Sequence, residues 1–393
     1  MPHLFSAYRL KDVTLRNRIA ISPMTQYSAE DGVMNDWHLV HLGARAVGGA
    51  GLVSVEQAAV SPEGRMSVGC LGLWNDTQQE AFARLVPFLK ANGAVAAIQL
   101  GHTGRKGGVN RPWEGDDHMG ADDPRTWDLI GPSDNPYGGK LMRAARPMTH
   151  DDIARVQRQF ARSAVRALDA GFEWLNLHYA HGFLGQSFFS TIANQRTDDY
   201  GGSLENRCRF LVETFDAVRA VWPERLPLTI RLGVSDFHPD SQPLEDAVHL
   251  IATLKDHGLD MADLSIGGNT DEAAIPFGQA AFMVDVAARI RRETGVPTCV
   301  SWNLGDPRDA DEAIRSGDTD LVLLGRPSLA NPHWPLMAAQ VLGEDSPYDL
   351  LPTQYSYWLK RFRDFRDVGD FRRWRDIRDP ASARPALVRD PAA

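Results

Sequence analysis

Cysteine is scarce in this chain of 393 residues, which contains only Cys70, Cys208 and Cys299. The three residues are far apart in the sequence and form no Cys-x-x-Cys pair. The sequence therefore offers neither a disulfide framework nor a cysteine-based metal site. This cysteine usage is typical of a reducing compartment, and we expect a cytoplasmic protein.

The sequence also lacks an excess of basic residues and long apolar runs. Lys and Arg number 42 against 51 Asp and Glu, which gives a formal net charge of −9. A protein that neutralises many phosphates needs basic surface, so we expect no nucleic-acid partner. No apolar run approaches the roughly 20 residues that cross a bilayer, and the N-terminus lacks a signal-peptide pattern. We therefore expect no membrane association.

Short apolar runs recur along the chain and predict buried strands. Most are apolar at consecutive positions, as expected for parallel strands that are covered on both faces. The predicted strands are Ile19–Ser22, Leu52–Val55, Val95–Leu100, Glu173–Leu177, Leu228–Leu232, Met261–Ser265, Thr298–Trp302 and Leu321–Leu324.

Amphipathic segments separate these strands and predict helices. Phe82, Leu85, Val86 and Leu89 follow a helical period, and Thr149 is placed to cap a helix that begins just after it. Strand and helix thus alternate about eight times, which suits either a closed barrel or an open doubly wound sheet. An open sheet that binds a dinucleotide would carry Gly-x-Gly-x-x-Gly after its first strand, and this chain does not. We therefore predict an α/β fold, a single (β/α)₈ TIM barrel over residues 1–360.

Two segments do not follow this alternation. Residues 104–147 are rich in Gly, Pro and Asp, and in a barrel this long loop would lie over the active-site mouth. Residues 361–393 form a tail that is dense in Arg and Asp. The tail is interpreted either as a surface helix with a frayed end or as an arm that packs on a second subunit.

Polar side chains at the predicted strand ends are the candidate functional residues, because barrel enzymes carry their chemistry there. Gln99 could pair with the edge of a flat heterocycle, or it could be a satisfied core amide. His178 and His181 could polarise a substrate oxygen, bind a metal, or form a structural pair. No carboxylate partner or His-Glu-x-x-His motif supports a metal, so we expect none.

Two further strand ends carry arginine. Arg231 lies within an apolar run and therefore needs an anionic partner. That partner is either a nearby carboxylate or the anionic edge of a bound flavin. Gly325 and Arg326 end the eighth strand, where barrels often bind phosphate, although a plain turn is the alternative.

Several longer motifs carry a resemblance to a known family. The supporting segments are residues 15–19, 22–27, 99–106, 178–184, 194–207 and 324–327. From about Leu4 to about Arg361 the chain resembles the Old Yellow Enzyme family of FMN-dependent oxidoreductases. It is most similar to the branch of bacterial xenobiotic reductases and thermophilic-like ene-reductases.

The resemblance implies FMN as the cofactor and NAD(P)H as the electron donor. In this interpretation the flavin contacts Pro23, Met24, Thr25, Gln57, Gln99 and Arg231, and its phosphate is held by Asn303, Gly325 and Arg326. His178 and His181 would bind the carbonyl oxygen of an electrophilic alkene that Tyr27 also faces. Phe183, Trp302 and Trp358 would line the substrate pocket, with Trp358 reaching a neighbouring subunit's site. The implied assembly is a homodimer or a higher homo-oligomer.

Three positions depart from the family pattern. Thr25 replaces the usual cysteine, and Gln57 replaces a small residue. Phe183 stands where the family usually has a proton-donating tyrosine. Phenylalanine cannot donate a proton, so Tyr27 or water would have to do so.

These departures leave several functions open. The chain is predicted to be an NAD(P)H-dependent ene-reductase that acts on α,β-unsaturated carbonyl compounds or related electrophiles. The alternatives are a flavin-dependent dehydrogenase or another specialised flavin reaction, and a barrel that binds a ligand without turnover.

Overall fold

The computed structural model describes residues 3–361 and contains one closed barrel of parallel strands. The strands are β1 (Tyr8–Leu10), β2 (Val13–Leu15), β3 (Ile19–Ile21), β4 (Leu52–Ala59), β5 (Val95–Gly101), β6 (Ile130–Gly131), β7 (Arg146–Pro147), β8 (Trp174–Tyr179), β9 (Leu228–Gly233), β10 (Met261–Ser265), β11 (Thr298–Val300) and β12 (Leu321–Leu324). Around the barrel the order is β3-β4-β5-β8-β9-β10-β11-β12, and the last strand, β12, pairs with the first, β3, to close the ring. The predicted TIM barrel is confirmed.

Helices surround the barrel. They are α1 (Asp36–Val47), α2 (Asp76–Ala91), α3 (His150–Asp169), α4 (Leu184–Phe189), α5 (Leu204–Arg219), α6 (Leu244–Asp256), α7 (Val284–Thr294), α8 (Pro307–Arg315), α9 (Arg326–Ala330), α10 (Trp334–Leu342) and α11 (Thr353–Arg361). Thr149 caps α3 as predicted, since its side chain accepts a hydrogen bond from the backbone N–H of Asp152. No helix of residues 3–361 is long and apolar enough to span a bilayer.

All eight predicted barrel strands are present. Strands β10 and β12 have the predicted bounds, and the other six differ by one residue or more at an end. Strand β4 differs most, because it continues to Ala59 and pairs with β5 beyond a bulge at Glu56, where the register shifts. Strand β11 ends at Val300, before the predicted Trp302. Trp302 and Asn303 have φ values of 79° and 54°, a left-handed conformation that a strand cannot contain.

The long loop begins where β5 ends, at the carboxyl edge of the barrel strands. Its ordered parts are the 3₁₀ turns Gly104–Lys106 and Pro112–Glu114 and the pairing of β6 with β7. The predicted tail of residues 361–393 lies outside the described residues, apart from Arg361.

The core between helix and barrel gives a first testable prediction. Phe82 of α2 is fully buried, and its ring meets the ring of Phe172 edge-on at 5.7 Å. Phe82→Ala should lower the free energy of unfolding by about 3–5 kcal/mol, because a cavity replaces the ring. Phe88→Ala on the same helix is the control and should cost less than about 1 kcal/mol, since Phe88 is 43% exposed. Equal losses in urea unfolding would contradict this packing.

Candidate active site

A cleft with a cavity volume of about 270 Å³ lies at the carboxyl end of the barrel strands and is open to solvent. Barrel enzymes bind small molecules and cofactors at this end of the strands. Loops after β3, β8, β11 and β12 contribute to its wall. The cleft is lined by Ser22, Pro23, Met24, His181, Arg231, Ser301, Trp302, Asn303, Leu304, Leu323, Leu324, Gly325, Arg326, Pro327 and Leu329.

Arg231 of β9 places a buried positive charge at the base of this cleft. Its Nη1 donates to Ser22 Oγ and its Nη2 to Ser301 Oγ, each at 3.0 Å. Its Nε lies 3.3 Å from Asp263 Oδ2, so the carboxylate alternative raised by the sequence is present. Burial raises the pKa of Asp263 to about 6, although the adjacent Arg231 opposes the shift. Because this value lies below 7, the carboxylate is charged at neutral pH and forms an ion pair with the guanidinium.

His178, the first of the two histidines, is a neutral hydrogen-bond donor. Its Nδ1 accepts a hydrogen bond from the backbone N–H of Ala180 at 3.1 Å, which places the ring proton on Nε2. Burial lowers the pKa of His178 well below its usual value, and the positive charges of Arg231 and Lys106 lower it further. The ring therefore donates a proton in a hydrogen bond without carrying charge.

His181 is the second donor, and its ring lies edge-on to His178 with centroids 5.0 Å apart. Its Nε2 lies 2.8 Å from Ser265 Oγ, which already accepts from Trp302 Nε1 and Arg231 Nη2. The hydroxyl of Ser265 therefore donates its one proton to His181 Nε2, which leaves the ring proton of His181 on Nδ1. Burial, followed by the charge of Arg231, also lowers the pKa of His181 well below its usual value.

At the other end of the cleft, the backbone is open enough for an anion to approach it closely. A Cβ added at Gly325 would meet only Met24 Sδ, at 3.7 Å, so the backbone there faces open space. Arg326 is exposed and forms no ion pair with any residue of the range 3–361. Asn303 differs, because both amide hydrogens bind carbonyls of the next loop, those of Phe277 (2.6 Å) and Gln279 (2.7 Å). Its side chain is thus left with only an acceptor, and any anion contact falls to its backbone.

Sequence comparison matches this barrel to a known family. Residues 3–345 match the NADH:flavin oxidoreductase / NADH oxidase family. The NADPH dehydrogenase of Geobacillus thermodenitrificans is 40% identical over 345 residues, which cover 86% of this chain and 94% of that protein.

The chain belongs to the NADH:flavin oxidoreductase / NADH oxidase family.

Other relatives agree with this assignment. The NADPH dehydrogenase of Geobacillus sp. WCH70 is 39% identical over the same length. Among solved structures, morphinone reductase in complex with tetrahydroNAD is 26% identical, with a TM-score of 0.73 over 91% of this chain and 97% of that one. As a member of this family, the protein is an FMN-dependent oxidoreductase of the Old Yellow Enzyme type that uses NAD(P)H.

The residues of the cleft fit FMN. Arg231 offers a buried positive charge to the flavin ring, and its Nε has no hydrogen-bond partner within residues 3–361. Gly325 and Arg326 offer an open backbone and an uncommitted guanidinium to the phosphate. Within residues 3–361, no group of three or more His, Cys, Asp or Glu side chains is arranged to hold a metal ion.

The two glutamines expected near the flavin lie side by side on β4 and β5, where Gln57 pairs with Gln99. Gln99 Nε2 donates to Asn176 Oδ1 at 2.8 Å, and Asn176 donates onward to Thr229 Oγ1. Gln99 is thus a satisfied amide, yet its acceptor and one hydrogen are not used in this chain of bonds. Gln57 lies close to Gly101, where an added Cβ would come within 2.8 Å of Gln57 Cγ and 3.1 Å of His178 Cβ.

Phe183 and Tyr27 lie on different loops, and Phe183 contacts both histidine rings whereas Tyr27 contacts other residues. The Phe183 ring lies 4.6 Å from the His178 ring. Tyr27 meets Trp113 of the long loop edge-on, with its hydroxyl 3.7 Å from Met66 Sδ. Burial, together with the charge that Cys70 would carry, raises the pKa of Tyr27 well above its usual value, so its phenol remains protonated. Thr25 lies between Met24 and this tyrosine but is not part of the cleft wall.

The two predicted tryptophans are in very different places. Trp302 lies in the wall of the cleft beside the rings of Phe277 and Phe282, whose centroids are 5.4 Å and 6.1 Å from its own. Trp358 lies on α11, is 56% exposed, and meets the ring of Tyr357. It is not part of this cleft within its own chain.

Several residues around the site were missed by sequence reasoning. Ser22, Ser265 and Ser301 bind Arg231, and all three lie at the end of a predicted strand or one residue before it. Their positions at strand ends were the signal that would have identified them as site residues. Asp263 gave the same signal as Arg231, because it is a charged residue that interrupts a predicted buried strand, but it was overlooked as the carboxylate partner of that arginine.

Glu56, in the β4 bulge, was missed as well. It accepts a hydrogen bond from the backbone N–H of Gln26 and lies 3.6 Å from His38 Nε2, and so fixes the loop that carries Thr25. Its burial raises the pKa of Glu56 to about 8.

This shift predicts a pH-dependent stability. Because the pKa of Glu56 is higher in the folded state than in the unfolded state, the folded protein loses stability as pH rises from about 4.5 to about 8. Glu56→Gln mimics the protonated form and should match wild type at pH 5. At pH 8.5 it should exceed the wild-type melting temperature by about 3 °C or more. The holoenzymes would be melted at both pH values, with the exposed Glu30→Gln as control. A difference independent of pH would show that Glu56 is not protonated in the fold.

Proposed function

We propose that this enzyme reduces the activated C=C bond of α,β-unsaturated carbonyl compounds or related electrophiles with electrons from NAD(P)H. The proposal rests chiefly on the two neutral, proton-donating histidines, whose rings lie 5.0 Å apart beside a cleft based on Arg231. Two such donors suit an oxygen that gains negative charge during a reaction.

FMN would supply two-electron transfer between the nicotinamide and the alkene. In this proposal Pro23, Met24 and Thr25 contact one side of its ring, and Gln57, Gln99 and Arg231 contact its polar edges. Gly325 and Arg326 hold the phosphate, together with the backbone of Asn303. A guanidinium held beside the ring would favour the anionic form of the reduced cofactor.

The histidines would bind the substrate carbonyl through His178 Nε2–H and His181 Nδ1–H. Addition of a hydride to the β carbon moves an electron pair towards this oxygen, which becomes enolate-like. Both donors then bind a charge that was absent in the ground state, so their contribution is larger in the transition state. A proton added to the α carbon completes the saturated product.

The source of that proton is constrained by Phe183. Its ring touches His178 but has no acidic hydrogen. Tyr27, which stays protonated, or a water admitted through the open cleft would supply the proton.

Phe183 also supports a second candidate, a dehydrogenation or another specialised flavin reaction in the same cleft. A dehydrogenation removes the α-carbon proton, so the site needs a proton acceptor and no proton donor, and a water in the open cleft would accept that proton. An apolar ring 4.6 Å from His178 also suits a substrate that binds through apolar contacts.

A homo-oligomer is part of the proposal. Trp358 and Tyr355 of α11 and Trp37 of α1 are each at least 50% exposed, which is unusual for side chains of this size. A second copy would cover them and could place Trp358 near a neighbouring cleft. Buried, unpaired cysteines agree with the proposed cytoplasmic location.

The central prediction concerns the oxidative half-reaction. Enzyme reduced anaerobically by NADPH should be reoxidised by cyclohexenone, as followed by flavin absorbance in stopped flow. His181→Ala should slow this step by about 100-fold or more, because one donor to the developing charge is removed. The exposed His249→Ala is the matched control and should react like wild type. A wild-type rate no faster than in buffer alone would reject the proposal.

A second prediction separates the two candidates. Phe183→Tyr should raise the rate of cyclohexenone reduction by about tenfold or more, because a phenol is then available beside His178. The reverse reaction, flavin reduction by cyclohexanone or a saturated analogue, would be measured in parallel. If the substitution leaves alkene reduction unchanged, the proton comes from Tyr27 or water.

A further inference from the structure

Two adjacent cations, Arg105 and Lys106, begin the long loop directly after β5, within the 3₁₀ turn Gly104–Lys106. Arg105 is 1% exposed, and Lys106 is partly buried. Neither forms an ion pair with a carboxylate of residues 3–361. A buried cation without a counter-charge is costly, so its donors must be satisfied in another way.

Backbone carbonyls of three different loops satisfy these donors. Arg105 donates to the carbonyls of Asn135 and Pro136, both at 3.2 Å, and to that of Asn269 at 2.5 Å. Lys106 Nζ donates to the carbonyl of His181 at 3.0 Å and lies 3.5 Å from that of Gly268. The pair thus joins the loops that follow β5, β8 and β10.

An aromatic ring closes the arrangement over the ammonium group. Lys106 Nζ lies 4.3 Å from the centre of the Tyr137 ring, within the range of a cation–π interaction. The Tyr137 hydroxyl donates to the carbonyl of Thr270 at 3.0 Å, on the same loop as Gly268. The ammonium group is therefore held from two sides and cannot easily leave the His181 carbonyl.

The bond to His181 falls on an unusual backbone. His181 has a φ of +58° and is followed by Gly182 with a φ of +71°. Residues with a Cβ rarely adopt this left-handed conformation, and it persists where surrounding contacts enforce it. The direction of the His181 ring follows from that backbone, because a return to φ below zero would swing the Cα–Cβ bond away from the cleft.

We propose that Lys106 is a positioning residue that acts through His181, by holding its carbonyl so that the imidazole faces the substrate oxygen. This inference deepens the proposed function and rests on it where substrate is concerned. The charge of Lys106 has a second effect in the same direction. It contributes to keeping both histidines neutral, after burial and Arg231. Burial and the charge of Arg105 lower the pKa of Lys106 itself to about 8, so the ammonium form predominates at pH 7.

The test is a double-mutant cycle in the holoenzyme. Lys106→Met removes the donor and the charge but keeps most of the side-chain volume. It should lower kcat for cyclohexenone by about tenfold with a smaller change in KM, because a displaced His181 donor no longer stabilises the oxygen charge of the transition state. In the His181→Ala background the same substitution should change kcat less than twofold, since there is no ring left to position. Equal effects in both backgrounds would overturn the proposal, because Lys106 would then stabilise the fold without acting through His181.

Lys140→Met is the matched control. Lys140 lies on the same long loop, and its Nζ also donates to a backbone carbonyl, that of Gly115 at 2.9 Å, but at an exposed position. It should leave both KM and kcat unchanged. Lys106→Gln serves as a second variant if the methionine variant does not fold.

A structural measurement keeps this inference separate from the proposed reaction. In a crystal structure of the Lys106→Met holoenzyme, residue 181 should lose its positive φ or adopt more than one conformation. If His181 kept a φ near +58° with its ring in place, the positioning role would be wrong whatever the enzyme reduces. If the wild-type enzyme failed to reduce cyclohexenone while residue 181 moved in the variant, the proposed substrate would fail and the positioning role would stand.

Discussion

The charge of Arg231, buried at the carboxyl end of the barrel, is the constraint on which the rest of the site depends. A guanidinium 4% exposed must have its donors satisfied, and strands that meet at one barrel edge provide them. Ser22 follows β3, Asp263 lies in β10 and Ser301 follows β11. Together these three residues hold the guanidinium in place. Asp263 forms an ion pair with it, and the two serine hydroxyls accept from its Nη donors. The wall of the cleft therefore presents a guanidinium that is fixed in place.

Burial is the main reason why the two histidines stay neutral, and the charge of Arg231 adds to it. The imidazoles therefore donate hydrogen bonds through defined nitrogens without carrying charge. Ser265 links the two functions, because its hydroxyl contacts Arg231, Trp302 and His181 at once. Arg231 and His181, which we assign to the cofactor and to the substrate, are thus linked in one hydrogen-bond network through that serine.

Much of this arrangement is predictable, and the misses follow a pattern. Buried parallel strands show as consecutive apolar residues, so all eight barrel strands are found, and their last residues indicate the site. Gln99, His178 and Arg231 are recognisable because each is a polar residue that interrupts or ends an apolar run. Lys106 and Glu56 are not, because their partners are backbone groups distant in sequence. The sequence also does not reveal that the side chain of Asn303 has no free donor for a phosphate, since its amide hydrogens bind the carbonyls of Phe277 and Gln279.

The sequence by itself determined the barrel, the family and the identity of the polar residues at the strand ends. These follow from local periodicity and from motifs that are contiguous in the chain. Only the tertiary structure decided which nitrogen of each histidine carries the proton, how far Asp263 compensates Arg231, and that Trp358 lies away from the cleft of its own chain. Those properties depend on distances between residues far apart in sequence and on the exclusion of water, neither of which periodicity encodes.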